Sequence, residues 1–162
     1  MRWLRSLSDG LNVLCKWAGA VLLLAMVAII VVQVIARYVL GSSLSWTEET
    51  SRFFFIWIVL LGTMIGVHDG SHVAVEFLLN WMPKPLSRFI KWVYTLCLCV
   101  LAGVMIGYGI DLTISVSVQL SPATRISMAY VYSAVPVCSM IMLIHLLRDL
   151  LPIGAGETKG SV

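Results

Sequence analysis

Four long apolar stretches constrain this chain more than any other feature: Trp17 to Leu40, Trp46 to Val67, Trp92 to Ile110, and about Ile126 to Leu147. Each has roughly the 20 residues that a helix needs to cross about 30 Å of hydrocarbon. Together they occupy most of a 162-residue chain. Charged residues make up 12% of it and hydrophobic residues 60%, whereas a soluble domain carries about 25% charged residues. A water-soluble fold is therefore excluded as an expectation. The composition predicts an all-α integral membrane protein with four transmembrane helices, short amphipathic interfacial helices, and N- and C-termini in the cytoplasm. Residues 1–152 are expected to form a single four-helix membrane domain. Residues 153–162, which are rich in glycine, are expected to form a flexible cytoplasmic tail.

The first stretch is too long for the apolar core of a signal peptide and is expected to remain as an anchor. In the second, Ser45 followed by Glu48 has the spacing of a capping box, so the helix is expected to begin near Trp46. Pro136 is expected to kink the fourth. Lys and Arg divide unevenly between the two sides. Arg2, Arg5, Lys16, Lys84, Arg88, Lys91, Arg148 and Lys159 face Arg37, Arg52 and Arg125 across the membrane. The positive-inside rule puts the first group, and both termini, in the cytoplasm. These basic residues serve topology, so no nucleic-acid partner is expected, while membrane lipids are. Ahead of the first span, Leu4, Leu7, Leu11 and Leu14 recur at helical spacing opposite Arg5, Asp9, Asn12 and Lys16, as in a short helix lying among headgroups. Val73 to Met82 is a second interfacial candidate.

The chemistry-bearing residues avoid the middle of the membrane. The mid-depth stretches Leu23–Ile30, Val59–Gly62, Cys99–Val104 and Val135–Met140 contain no carboxylate. A transporter acting alone would place a polar binding site there, so autonomous transport is disfavoured and no substrate-binding, catalytic, cofactor or metal residue is expected. Cys97 and Cys99 lack the further ligands of a zinc site. His68, His72 and His145 fall at similar depth, where a haem or quinone anchor is the alternative to ordinary interfacial hydrogen bonds. Polar residues gather at the outer ends of the first two spans, where Arg37, Trp46, Glu48, Glu49 and Arg52 flank a short turn and Glu48 precedes Arg52 by four residues. Residues 48, 52, 55, 59, 62 and 66 share one helical stripe, which joins this charged end to Gly62-x-x-x-Gly66, a small-residue packing face. Gly103 and Gly107 offer another.

Arg37-Tyr38, Trp46-x-Glu48-Glu49, Arg52, Trp57 and Gly62, followed by Gly70-Ser71-His72-Val73-x-Val75-Glu76, form an ordered set. It resembles the small permease subunit of tripartite ATP-independent periplasmic (TRAP) transporters, the DctQ family. Weaker similarity covers Gln119 to Pro136, and the family often has Asp where Glu76 stands. The resemblance implies a bacterial inner-membrane complex of three parts: this chain, a large permease subunit with the moving transport domain and sodium sites, and a periplasmic substrate-binding protein. It implies sodium-driven uptake of organic acids, with this chain as scaffold and anchor and no enzymatic activity. An unrelated small membrane adaptor is the remaining alternative.

Overall fold

The computed structural model describes residues 2–42, 44–69 and 83–154. The expected interfacial helix at 73–82, the site candidates His72 and Glu76, and residues 155–162 of the expected tail lie outside the described residues. Five helices account for nearly all of the rest: α1 (Arg2–Tyr38), α2 (Ser45–Asp69), α3 (Lys84–Ser115), α4 (Ala129–Tyr132) and α5 (Ala134–Gly154). Four stretches of helix are long and apolar enough to cross a membrane: Ser6–Tyr38, Ser45–Asp69, Pro85–Ser115 and Ala129–Leu147. The chain is thus an all-α protein with four membrane-spanning helices. The start of α1 and the end of α5 lie at the same end of the bundle, where Ser8 meets His145.

The helices outrun the apolar runs that announce them. α1 is one unbroken helix of 37 residues, about 55 Å long at 1.5 Å per residue, so the segment before Trp17 does not form a separate interfacial helix. Only part of its polar side is turned inward: Ser8 and Asn12 are buried, while Asp9 and Lys16 are exposed along with Leu7, Leu14 and Trp17. Burying these two satisfies hydrogen bonds to α2 and α5, and the leucines are left to face the surroundings. Gly41, with φ at +64°, ends the outer turn of α1, and the Ser42 N–H returns to the Ala36 carbonyl at 3.1 Å. A glycine suits this left-handed position because it has no Cβ to clash.

The start of α2 departs from the expected capping box. Ser45 is already inside the helix and so cannot cap it. The Leu44 carbonyl instead accepts from the Thr47 hydroxyl at 2.6 Å and from the Thr47 N–H at 3.1 Å. In the fourth span the irregularity falls at Ser133, between α4 and α5. Pro136 has no N–H for the Tyr132 carbonyl and its ring crowds that carbonyl, which interrupts the ladder one turn earlier. α3 opens after Pro83, with a proline again in its first turn, where a missing N–H costs nothing.

Packing is uneven. α1 and α2 form an antiparallel pair, α5 packs against both, and α3 touches only α4 and α5 among the described residues. The core is largely apolar, built from Cys15, Leu61, Met64, Val67, Ala102, Cys138, Met142 and Leu146, and Ser139 is buried as well. α3 and α5 approach most closely at Gly109. A Cβ placed there would lie 3.0 Å from the Pro136 Cδ, 3.1 Å from Val135 Cγ1 and 3.2 Å from the Pro136 nitrogen.

Candidate functional site

The glycines singled out by spacing play a different part. A Cβ built at Gly62, Gly66, Gly103 or Gly107 meets nothing within 4 Å. Among the described residues, neither pair brings two helices together, and both small-residue faces stay open. On the α2 stripe, Phe55 and Val59 are likewise exposed. The stripe from Glu48 to Gly66 is therefore an outward face of the subunit.

At the outer end, the four expected charges do not close into one cluster. Arg52 Nη2 lies 3.5 Å from Glu48 Oε1, and the two side chains are 69% and 58% exposed. Such a pair is worth about 0–1 kcal/mol. Arg37 is exposed, and among the described residues no ion pair joins it to Glu48 or Glu49. Glu49 turns instead to the α3–α4 connection. Its Oε2 accepts from the backbone N–H groups of Ala123 at 3.1 Å and Thr124 at 2.8 Å, and from the Thr124 hydroxyl at 3.1 Å. Trp46 is exposed, and Trp57 is half-buried against the α1–α2 groove lined by Leu14, Trp17, Val21 and Leu61.

A second polar assembly, unforeseen in its connections, ties α1, α2 and α5 together at the other end. Ser8 Oγ lies 2.7 Å from His145 Nδ1, in a contact buried on both sides. Asn12 Nδ2 donates to Asp69 Oδ1 at 3.1 Å and lies 2.8 Å from His68 Nδ1. In a neutral His68, that contact makes Nδ1 the acceptor and leaves the Nε2 proton to donate to Asp9 Oδ1 at 3.2 Å. Asp69 Oδ1 also lies 3.0 Å from His68 Nδ1, a contact that is a hydrogen bond only when Nδ1 carries a proton. Lys16 Nζ closes the set with Asp69 Oδ2 at 2.8 Å.

His68 and His145 do face each other, with ring centroids 4.8 Å apart in an edge contact. A haem iron between two imidazoles needs a nitrogen from each ring aimed at one centre, with the porphyrin plane between them. Here the rings touch directly and three of the four ring nitrogens already have the partners just named, so this arrangement does not fit a bis-histidine haem. Among the described residues, no group of three His, Cys, Asp or Glu side chains is placed to hold a metal ion. What the arrangement does is join helices with hydrogen bonds at both ends of an apolar core. Sequence reading missed Asn12, Ser8 and Asp69 as structural partners, and Gly109 as the point of close approach. The one usable signal was Asn12, on the polar side of the leader.

Four apolar helices with polar ties near their ends define a multi-pass membrane protein. Residues 26–153 match the family described as tripartite ATP-independent periplasmic transporters, DctQ component, and the chain belongs to that family. A putative TRAP transporter small permease protein of Haemophilus influenzae is 28% identical over 159 residues, covering 94% of this chain and 95% of the relative. The sialic acid TRAP transporter permease protein SiaT of H. influenzae is 28% identical over 138 residues. The isethionate TRAP transporter permease protein DctMQ of Oleidesulfovibrio alaskensis is 30% identical over 149 residues. Each of these two matches covers 85% of this chain but only 22% of the longer relative. The chain is a transporter component and a multi-pass protein of the bacterial inner membrane.

Proposed function

We propose that this chain is the small membrane subunit of a sodium-driven TRAP transporter for organic acids, and that it acts as scaffold and anchor for a large permease subunit. The observation that carries this reading is the open state of Gly62, Gly66, Gly103 and Gly107. Small residues let helix backbones approach closely in lipid, where packing and not the hydrophobic effect drives association. Faces of this kind that the chain does not use itself suit a partner helix. The matches to about a fifth of two longer permease chains support a large partner, since there the same segment is part of one polypeptide with it. The absence of charged side chains from the mid-depth stretches supports a division of labour in which solute and sodium are held by the partner. A periplasmic binding protein completes the proposed system. Arg37, Trp46, Glu48, Arg52, Trp57 and the four glycines are its interface and structural candidates, and Glu49 holds the outer connection. The end bearing Ser8, His68 and His145 is assigned to the cytoplasm on the Lys and Arg distribution.

Two measurements on one preparation test this reading. Affinity purification of the tagged chain from its native membrane is expected to bring down a large permease in a detergent-stable complex. Cysteines at Ser42 and Ser87 are expected to react with an impermeant reagent from the periplasmic and the cytoplasmic side respectively. Recovery of the chain alone from every detergent, or the reversed labelling pattern, would contradict the partner or the orientation.

A further inference from the structure

The α3–α4 connection is a small hairpin. Leu120 and Ser127 form an isolated antiparallel bridge, the Ser121 N–H donates to the Ile126 carbonyl at 2.9 Å, and the Met128 N–H donates to the Gln119 carbonyl at 2.9 Å. Its tip carries two features that oppose each other. Arg125 has φ at +57°, the positive-φ non-glycine residue among those described. A long side chain in the left-handed region is strained and persists only where its surroundings hold it. It is held by the turn's own bond, from the Arg125 N–H to the Ser121 carbonyl at 3.2 Å, and by the Glu49 carboxylate, on which the Ala123 N–H, the Thr124 N–H and the Thr124 hydroxyl converge. Ser121 Oγ lies 2.6 Å from Thr124 Oγ1 and is buried. The Ser121 side chain acts on the same carboxylate, so the hairpin is joined to α2 through Glu49. This link matters because, among the described residues, α3 does not pack closely on α1 or α2. At the outer end, α2 is linked to the α3–α4 segment through this carboxylate and the packing of α4.

We propose that the outer hairpin is a latched element with two positions: closed on Glu49, as here, and released. In the released position Arg125 leaves the left-handed region and the outer end of α3 is no longer held to α2. The carboxylate favours closure through charge-assisted bonds, and the strain at Arg125 favours release. The catch is local, because the packing of Gly109 against Val135 and Pro136 lies beyond the hairpin and holds α3 to α5 in both positions. The device sets whether the outer hairpin sits on α2, whichever solute the transporter carries.

Hydrogen–deuterium exchange on the full chain in nanodiscs reads the latch directly and without any transport assay. Glu49→Gln is expected to speed exchange across 119–128 by roughly tenfold or more, the loss expected when a charged acceptor is replaced by a neutral one. Peptides from 95–110 and 134–147 should keep their wild-type rates. Arg125→Gly, which removes the strain and leaves the catch, is expected to slow exchange in the same hairpin. Unchanged hairpin exchange in both Glu49→Gln and Glu49→Ala would overturn the proposal. So would a rise that spreads over α3 and α5, which signals general loosening, or faster hairpin exchange in Arg125→Gly.

Discussion

Replacing Gly109 by leucine is expected to be among the most damaging single changes in this chain, whereas the same change at the more conspicuous Gly103 or Gly107 leaves the isolated subunit folded. At Gly109 the first added atom already lies 3.0 to 3.2 Å from the Pro136 ring, the Pro136 nitrogen and Val135. Val135 can turn its side chain, but the proline ring and backbone cannot yield without moving α5. Overpacking of this kind costs about 1–3 kcal/mol, and more where the obstacle is rigid. For Gly109→Ala the helix-propensity gain of about 1 kcal/mol offsets part of that cost, so alanine should destabilise mildly and leucine severely. Gly103→Ala and Gly107→Ala meet nothing within 4 Å and carry no such cost. Thermal unfolding of the four variants in one detergent checks the order. Equal midpoints for Gly109→Leu and wild type would mean that α3 and α5 do not pack as described.

The second large effect is expected at the polar assembly on the inner end. His145→Phe keeps a ring of similar size but removes the buried 2.7 Å contact between Ser8 and the imidazole. Removing one partner of a buried hydrogen bond costs about 1–3 kcal/mol, while replacing both partners by apolar groups is far less costly. The single variant should therefore be less stable than the double variant Ser8→Ala with His145→Phe. Additive losses in the double variant would show that the two side chains do not depend on each other.

How much of this was legible beforehand follows from where each signal lies. The four spans were readable because twenty consecutive apolar residues have few other uses, and Arg37 to Gly62 carried enough ordered residues to bring the family into view. Helix ends were less readable. The segment before Trp17 has amphipathic periodicity, and a polar face in such a segment is ordinarily read as facing water. Ser8 and Asn12 face inward instead because their partners, His145 and His68, arrive from 137 and 56 residues away. Glu49 presents the same difficulty in a purer form. Its neighbours in sequence suggested ion pairs, but its partners are backbone N–H groups more than seventy residues on, and a backbone donor leaves no trace in side-chain spacing. The glycines show the converse. Gly62-x-x-x-Gly66 and the Gly103, Gly107 pair have the pattern, while the close approach inside the chain belongs to Gly109, whose obstacle is a proline on another helix.

Those open glycines also bear on the central claim, that this subunit supports transport without holding the solute. Its mid-depth stretches hold no charged side chain, and a membrane site for an organic anion needs charged or polar groups to recognise it. The most direct measurement is sodium-gradient-driven uptake of the solute into proteoliposomes, with its binding protein supplied outside. The chain would be reconstituted alone, the large permease alone, and the two together. The account predicts no uptake above background for the chain alone and full uptake for the pair. Accumulation by this chain alone would contradict it.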